Sequence, residues 1–139
     1  MSRDARADEV WADLAAFVHD NRDGWKKAVV DRTGLPFSRI RILMRLSRRP
    51  MTVKQIADAA TVDAPAATVA VNDLEDRGLV VRQVDPTNRR CKVVSLTDAG
   101  RDAVAAIDTV HDPAPEALAA LSGDDLTMLR ALLDKLNRS

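Results

Sequence analysis

The sequence contains few of the residues that support metal binding, disulfide cross-linking or catalysis. One cysteine and two histidines occur in 139 residues, so an intrachain disulfide framework is excluded and a Cys/His zinc motif is not formed. His19 and His111 lie in helical or helix-end patterns, with neither a Gly-rich phosphate loop nor a nucleophile turn nearby. These features argue against an enzyme, and we expect neither a cofactor nor a metal.

Long apolar runs are also absent from the sequence. No stretch of about 18 apolar residues occurs, and the charged segment at residues 2–9 does not resemble a signal peptide. We therefore expect a soluble, cytoplasmic protein with no membrane partner. The length suits one domain, or a small domain with appended helices, and it is near the size at which oligomerisation adds useful burial.

The net charge is zero, but the charges are unevenly distributed along the chain. Residues 39–92 contain eleven basic and six acidic residues, so the remainder is net negative. A basic centre with acidic ends suits a partner that is a polyanion, with the centre facing it.

The most informative stretch is residues 79–97. Two Val-rich runs bounded by turn-forming residues predict antiparallel strands at 79–84 and 91–96, with residues 85–90 as the loop. The tip of this β-hairpin would carry Arg89 and Arg90, whose guanidinium groups can contact phosphates or enter a minor groove of DNA. The alternative is an ordinary solvated hairpin tip.

Two short helices are predicted just before this hairpin. Thr52 can cap the first, and Asp63 can cap the second, which has Pro65 in its first turn and Gly78 beyond its end. Val69, Val71, Leu74 and several alanines are expected to form the buried side of the second helix. Two such helices joined by a tight turn form a helix-turn-helix, whose second helix can enter a major groove.

The order of the motifs is informative beyond each motif alone. Residues 74–82 are Leu-Glu-Asp-Arg-Gly-Leu-Val-Val-Arg, residues 85–90 are Asp-Pro-Thr-Asn-Arg-Arg, and residues 95–100 are Ser-Leu-Thr-Asp-Ala-Gly. Upstream, residues 35–37 are Leu-Pro-Phe and precede the apolar residues Ile40, Leu43 and Leu46. Residues 35–101 therefore resemble the MarR family of bacterial transcription regulators.

This resemblance implies a mainly α fold with a small β-hairpin wing, that is, a winged helix-turn-helix with terminal dimerisation helices. It implies a homodimer that binds double-stranded DNA, more often as a repressor. The expected division is a helical segment at 1–34, the DNA-binding domain at 35–97 and helices at 98–139. A winged helix that binds only proteins is the competing hypothesis, and it predicts no salt-dependent affinity for duplex DNA.

Two positions depart from the family pattern. Asn88 replaces the usual Asp of the wing, and Val69 follows Thr68 where the family commonly has Arg, so a bidentate base or phosphate contact is missing. The residues expected to contact DNA are Thr52, Ala66, Ala67, Thr68, Asn72, Arg77, Asn88, Arg89, Arg90 and Lys92.

Both ends of the chain show narrow apolar stripes at helical spacing. A first helix is predicted around Val10–Val18 and is expected to continue beyond Gly24 through Trp25 and Val29. Downstream, Thr97 can cap a helix that Pro113 and Pro115 end, and Ser122 can cap the last helix. The stripes can pack on their own domain, but the resemblance favours a dimer through Val10, Trp11, Leu14, Phe17, Leu126, Leu129, Leu133 and Leu136.

The resemblance also bears on an effector site. Many relatives lose DNA affinity on binding small aromatic acids between the dimer helices and the reading domain, so the resemblance implies a possible ligand of that class. Trp25, Phe37, Arg41 and Met44 can line an apolar pocket with one cationic anchor. The alternative is that the three apolar side chains belong to the core and Arg41 faces solvent. Cys91, without a second cysteine, is interpreted as structural rather than redox-active.

Overall fold

The computed structural model describes residues 4–138 and contains eight α-helices and one antiparallel β-hairpin within them. The predicted fold class, mainly α with a β-hairpin wing, is confirmed. In chain order the elements are α1 (Ala5–Asp20), α2 (Asp23–Thr33), α3 (Phe37–Leu46), α4 (Val53–Ala60), α5 (Ala64–Asp76), β1 (Val80–Asp85), β2 (Asn88–Leu96), α6 (Asp98–Asp108), α7 (Glu116–Ala119) and α8 (Gly123–Asn137).

One apolar core holds the central elements together. Its largest fully buried side chains come from α2 to α6 and from β2, and no polar or charged side chain among residues 4–138 is buried. Burying each such side chain contributes about 1.5 to 3 kcal/mol, which offsets the ordering of these short helices. The side chains are Val29, Ile40, Leu43, Ile56, Val71, Leu74, Val94 and Ile107.

The helix-turn-helix forms where its caps predict it. The Thr52 hydroxyl accepts from the Gln55 N–H at 3.1 Å, and the Gln55 side chain accepts from the Thr52 N–H, which completes a capping box. At the turn Thr61 has φ 56° and ψ 42°, the left-handed region that a β-branched residue rarely adopts. The Asp63 carboxylate then accepts from the Ala66 N–H at 2.8 Å and starts α5.

The prediction that the first helix continues beyond Gly24 was wrong. The first helix ends at Asp20, and the side-chain amide of Asn21 donates to the Phe17 carbonyl at 2.8 Å. A second helix starts at Asp23 and buries Val29 fully in the core. Local hydrogen bonding by Asn therefore competes with helix continuation, and α2 packs with the winged helix.

The wing differs from its prediction in the length of its loop. The turn consists of two residues, Pro86 and Thr87, because the Asp85 carboxylate accepts from the Thr87 N–H at 2.9 Å and from the Thr87 hydroxyl at 2.8 Å. Asp85 pairs with Asn88, whereas Val84 pairs with Lys92, so residues 89–91 form a bulge in β2. The expected loop at 85–90 was too long, and Arg89 and Arg90 lie on this strand.

The structure also contains a short strand pairing that the sequence pattern did not indicate. Met51 forms an isolated antiparallel bridge with Val94, with N–O distances of 3.1 and 2.7 Å. This bridge fastens the segment before α4 to the wing strand β2.

The start of α6 is packed tightly against the base of the wing. As predicted, the Thr97 hydroxyl caps this helix, accepting from the Gly100 N–H at 3.1 Å, and it donates to the Gly78 carbonyl at 2.6 Å. A Cβ atom placed on Gly100 would lie 2.1 Å from the Leu79 carbonyl oxygen. Helix α6 ends at Asp108, before Pro113 and Pro115, which were predicted to end it. The backbone restriction that Pro imposes on the residue before it therefore does not set the end of this helix.

Helices α1 and α8 have no buried residues, in contrast to the central helices. The predicted cap of α8 is confirmed, because the Ser122 hydroxyl accepts from the Asp125 N–H at 3.1 Å. Within residues 4–138, no helix has both the length and the apolar character needed to cross a bilayer.

Candidate nucleic-acid interface

Helix α5, called the reading helix below, has one buried and one exposed face. Its buried residues follow helical spacing and are Ala67, Ala70, Val71 and Leu74. Its exposed residues are Ala64, Pro65, Ala66, Thr68, Val69, Asn72 and Asp76.

This division corrects two residue assignments. Ala67 is fully buried and was wrongly expected to face the groove, whereas Val69 is 61 % exposed and was wrongly placed on the buried side. The reason is the phase of the helix, since Ala67 precedes the buried Val71 by one turn and Val69 does not share that face. Ala66, Thr68 and Asn72 are exposed, as a groove-facing role requires.

A hydrogen-bond network joins the exposed face of the reading helix to the wing. The Arg82 guanidinium on β1 donates from Nη2 to the Asn72 Oδ1 at 2.7 Å and lies 3.4 Å from the Glu75 carboxylate through Nη1. The Asn72 carbonyl is thereby engaged, and the amide NH₂ is left as the group available for an external acceptor. Arg82 therefore fixes both the orientation of this amide and the position of the wing against the helix.

Two arginines contact Asp73, which also lies on the reading helix. Its carboxylate accepts from the Arg39 Nε at 2.9 Å and from the Arg77 Nε at 3.1 Å. These two hydrogen bonds, the Arg39 bond first, lower the pKa of Asp73 below its ordinary value. Arg77, an expected DNA contact, thus has part of its charge compensated by an acid on its own helix.

The wing presents cationic side chains to solvent. Arg89, Arg90 and Lys92 are exposed, and no ion pair to their side chains is formed within the part of the chain that the structure describes. Asn88 supports the bulge, because its side-chain carbonyl accepts from the Arg90 N–H at 3.2 Å. The arginines are therefore held by backbone geometry while their charges remain available.

The expected effector residues lie around one pocket. Trp25, Phe37, Arg41 and Met44 line a cavity of about 200 Å³, together with the arginines at positions 22, 45 and 48. The Trp25 and Phe37 rings meet edge to face at 5.8 Å, and the Arg22 guanidinium stacks over Trp25 at 3.8 Å.

This pocket is more cationic than the sequence analysis expected. Four guanidinium groups replace the single anchor, and the Nε of Arg22 is buried without a hydrogen-bond partner. Arg22 lies 3.5 Å from Asp112, which precedes α7. Residues 41, 45 and 48 follow helical spacing, a signal present in the sequence.

Within residues 4–138, no three His, Cys, Asp or Glu side chains are placed to hold a metal ion.

Comparison with known proteins agrees with this geometry. The MarR family pattern matches residues 33–90, which include α3, the helix-turn-helix and the first half of the wing. Residues 33–90 are thus similar to the MarR family. The MarR match covers the elements that carry the reading helix, Arg82 and the wing arginines.

Solved structures share the whole fold. The transcriptional regulator BldR from Sulfolobus solfataricus is 24% identical over 100% of both chains, with a TM-score of 0.65. MarR from E. coli in its apo form is 21% identical over 90% of this chain and 95% of its own, with a TM-score of 0.72. A mutant of MepR from S. aureus bound to an oligodeoxyribonucleotide is 21% identical over 92% of this chain and 96% of its own, with a TM-score of 0.61. At these identities the similarity establishes the shared fold.

Sequence reasoning missed two of the residues that organise this surface. Arg39 and Arg82 were counted only as part of the basic centre, and their partners lie 34 and 10 residues away along the chain. Such pairings depend on the tertiary fold, so no local spacing could indicate them. The expected roles in DNA, ligand and partner binding stay predictions.

Proposed function

We propose that the protein is a homodimeric, sequence-specific DNA-binding transcription regulator, acting as a repressor that a small aromatic or phenolic ligand releases from DNA. The observation that supports this most strongly is the junction of the reading helix and the wing. Arg82 links the exposed face of α5 to a hairpin whose Arg89 and Arg90 are exposed. A helix can occupy a major groove while the adjacent wing contacts phosphates or the minor groove.

The terminal helices support the dimer. Ten of the fourteen large hydrophobic residues exposed in the described chain lie on α1 or α8, and Trp11 is 68 % exposed. Apolar area of this kind is normally covered, and a second copy can cover it symmetrically. Two reading helices joined in this way should require half-sites about 34 to 36 Å apart, one helical turn of DNA. The expected dimer residues on these helices are Val10, Trp11, Leu14, Phe17, Leu126, Leu129, Leu133 and Leu136.

The first experiment tests DNA reading. The protein is used to select duplexes from a random pool, and the affinity for the selected duplex is then measured at several salt concentrations. Each phosphate contact contributes about 0.9 to the log–log slope. Replacing Arg89→Ala and Arg90→Ala in both protomers should therefore flatten the slope by up to about 3.6.

The matched control removes the same charge elsewhere. Arg130→Ala with Arg138→Ala changes two exposed arginines, one on α8 and one directly after its last residue, and should leave the slope close to that of the wild type. Equal slopes in the wing variant and the wild type would reject the wing contact. Absence of any salt-dependent duplex binding would favour the protein-binding module instead.

The pocket at Trp25 supports the ligand part of the proposal. Aromatic rings and four guanidinium groups around about 200 Å³ suit a small anion with an apolar body. Such a ligand releases DNA only if it prefers an arrangement of the two reading helices that does not fit the site. The coupling must be reciprocal, so bound DNA should weaken the ligand by the same factor.

Salicylate is the probe for this part. Its affinity is measured by calorimetry with and without the selected duplex, for the wild type and for Arg41→Ala. We expect weaker salicylate binding in the variant and in the presence of DNA. Equal affinity with and without DNA would mean that the pocket is uncoupled, and no saturable binding would assign Trp25, Phe37 and Met44 to the core alone.

A further inference from the structure

The exposed face of the reading helix is chemically unusual for a surface that reads bases. Val69, near its centre, is 61 % exposed, and its neighbours on this face include Ala66 and Thr68. Val is a weaker helix former than Ala, and in the described chain the Val69 side chain gains little burial in return. An apolar side chain therefore occupies the position from which a base would be approached.

The one amide on this face is already half engaged. Asn72 accepts from Arg82 at 2.7 Å through Oδ1, so one of the two acceptor sites of this oxygen is occupied and the amide is held toward the wing rather than free to pair with adenine N6 and N7. Its NH₂ remains a donor for a single acceptor atom. Hydrogen bonding therefore gives this helix little power to distinguish bases.

Contact with a methyl group is a second way in which a side chain can distinguish bases. Thymine alone among the four bases presents a methyl group in the major groove, and apolar side chains discriminate it by contact. The surroundings favour DNA over an apolar protein partner, because the adjoining wing exposes Arg89, Arg90 and Lys92, whose side chains form no ion pair within the described residues.

We propose that the reading helix recognises a thymine in each half-site through contact between the Val69 isopropyl group and the thymine C5 methyl. This inference rests on the proposed function and names the base class that the helix reads. Val69 is thereby a specificity-determining residue. The Asn72 NH₂ adds a contact to one acceptor and does not by itself choose the base.

The test uses the duplex selected by the full-length protein. Each thymine is replaced in turn by deoxyuridine, which removes the C5 methyl and keeps the base-pairing groups. At one position in each half-site, deoxyuridine should weaken wild-type binding about fourfold, as expected for removing one buried methyl. Symmetric replacement in both half-sites should weaken binding by about sixteenfold.

Two variants assign the effect to a side chain. Val69→Ala should bind the thymine and deoxyuridine duplexes equally, and the substitution should not disturb the fold because the side chain is exposed and Ala favours helix. Thr68→Ser removes a different methyl from the same face and should retain the wild-type preference.

The outcomes separate the inference from the proposed function. Retention of a selected duplex with no deoxyuridine effect at any thymine, or a Val69→Ala variant that keeps the wild-type preference, overturns the inference alone. Failure of the protein to retain any duplex selectively overturns both.

Discussion

Gly100 gives the sharpest test of how the wing base and the C-terminal helices are joined. A Cβ at this position would lie 2.1 Å from the Leu79 carbonyl oxygen, whereas real Cβ contacts essentially never fall under 3.0 Å. Gly100→Ala therefore requires the two backbones to separate by roughly 0.9 Å. The obstacle is a main-chain atom, so rotation of a side chain cannot relieve the overlap.

The free-energy cost follows from what this separation disturbs. Overpacking of this kind costs about 1 to 3 kcal/mol. The Leu79 carbonyl also accepts from the Thr97 N–H at 3.1 Å, and the Thr97 hydroxyl caps α6, so a weakened bond or cap adds about 1 kcal/mol. Ala also has a better helix propensity than Gly, which raises the free energy of unfolding by about 0.5 to 1 kcal/mol. We expect the free energy of unfolding to fall by about 1 to 3.5 kcal/mol.

The measurement is urea denaturation followed by circular dichroism, at one fixed protein concentration because association contributes to apparent stability. Gly24→Ala and Gly123→Ala are matched controls, since nothing lies within 4 Å of a Cβ at either position, and they should leave the free energy of unfolding unchanged or raise it by up to about 1 kcal/mol through the better helix propensity of Ala. A Gly100→Ala protein within that same range would refute the reasoning.

Three further changes test separate parts of the structure. Thr61→Asn should raise the free energy of unfolding by about 0.5 to 1 kcal/mol in the same urea assay, because Asn tolerates the left-handed conformation that Thr61 adopts, and an unchanged midpoint would contradict this. Asp73→Asn should destabilise the protein at pH 7, and the difference from wild type should shrink as the pH falls below 3.8, because the lowered pKa of Asp73 makes its contribution present above that pH and lost below it. A difference that stayed constant into the acid range would argue against the ion pair. Deleting residues 122–139 should weaken both self-association and DNA binding, and a truncated chain that remains dimeric in sedimentation would remove α8 from the interface.

Local sequence signals predicted most of the secondary structure because the relevant interactions are local. Thr52, Asp63, Thr97 and Ser122 all form the predicted caps, each with a backbone N–H two or three residues into its helix. The β-branched runs on either side of the turn likewise gave the hairpin. In these places one short stretch of chain contains both interacting groups.

The errors arose where the outcome depends on phase or on distant partners. Ala67 and Val69 are both small and apolar, so composition could not decide which of them faces the core, and packing of Val71 and Leu74 decided it. The wing loop was misjudged because the Asp85 side chain closes a tighter turn and displaces the excess residues into a bulge. The four-arginine pocket needed α2 and α3 to be brought together before Arg22 could join the others.

The break between α1 and α2 has a mechanical consequence. The chain passes between the terminal helices and the winged helix twice, once at residues 21–22 and once in the segment after α6. The Arg22–Asp112 ion pair, at 3.5 Å, fastens these two crossings to each other. Two adjacent crossings form a two-point hinge. Such a hinge favours rotation of the winged helix relative to the terminal helices, about the line through the two crossings, over sliding of one against the other. Trp25, stacked under Arg22 at 3.8 Å, lies beside that axis, so under the proposed function a small displacement at this pocket would become a larger movement of the more distant reading helices.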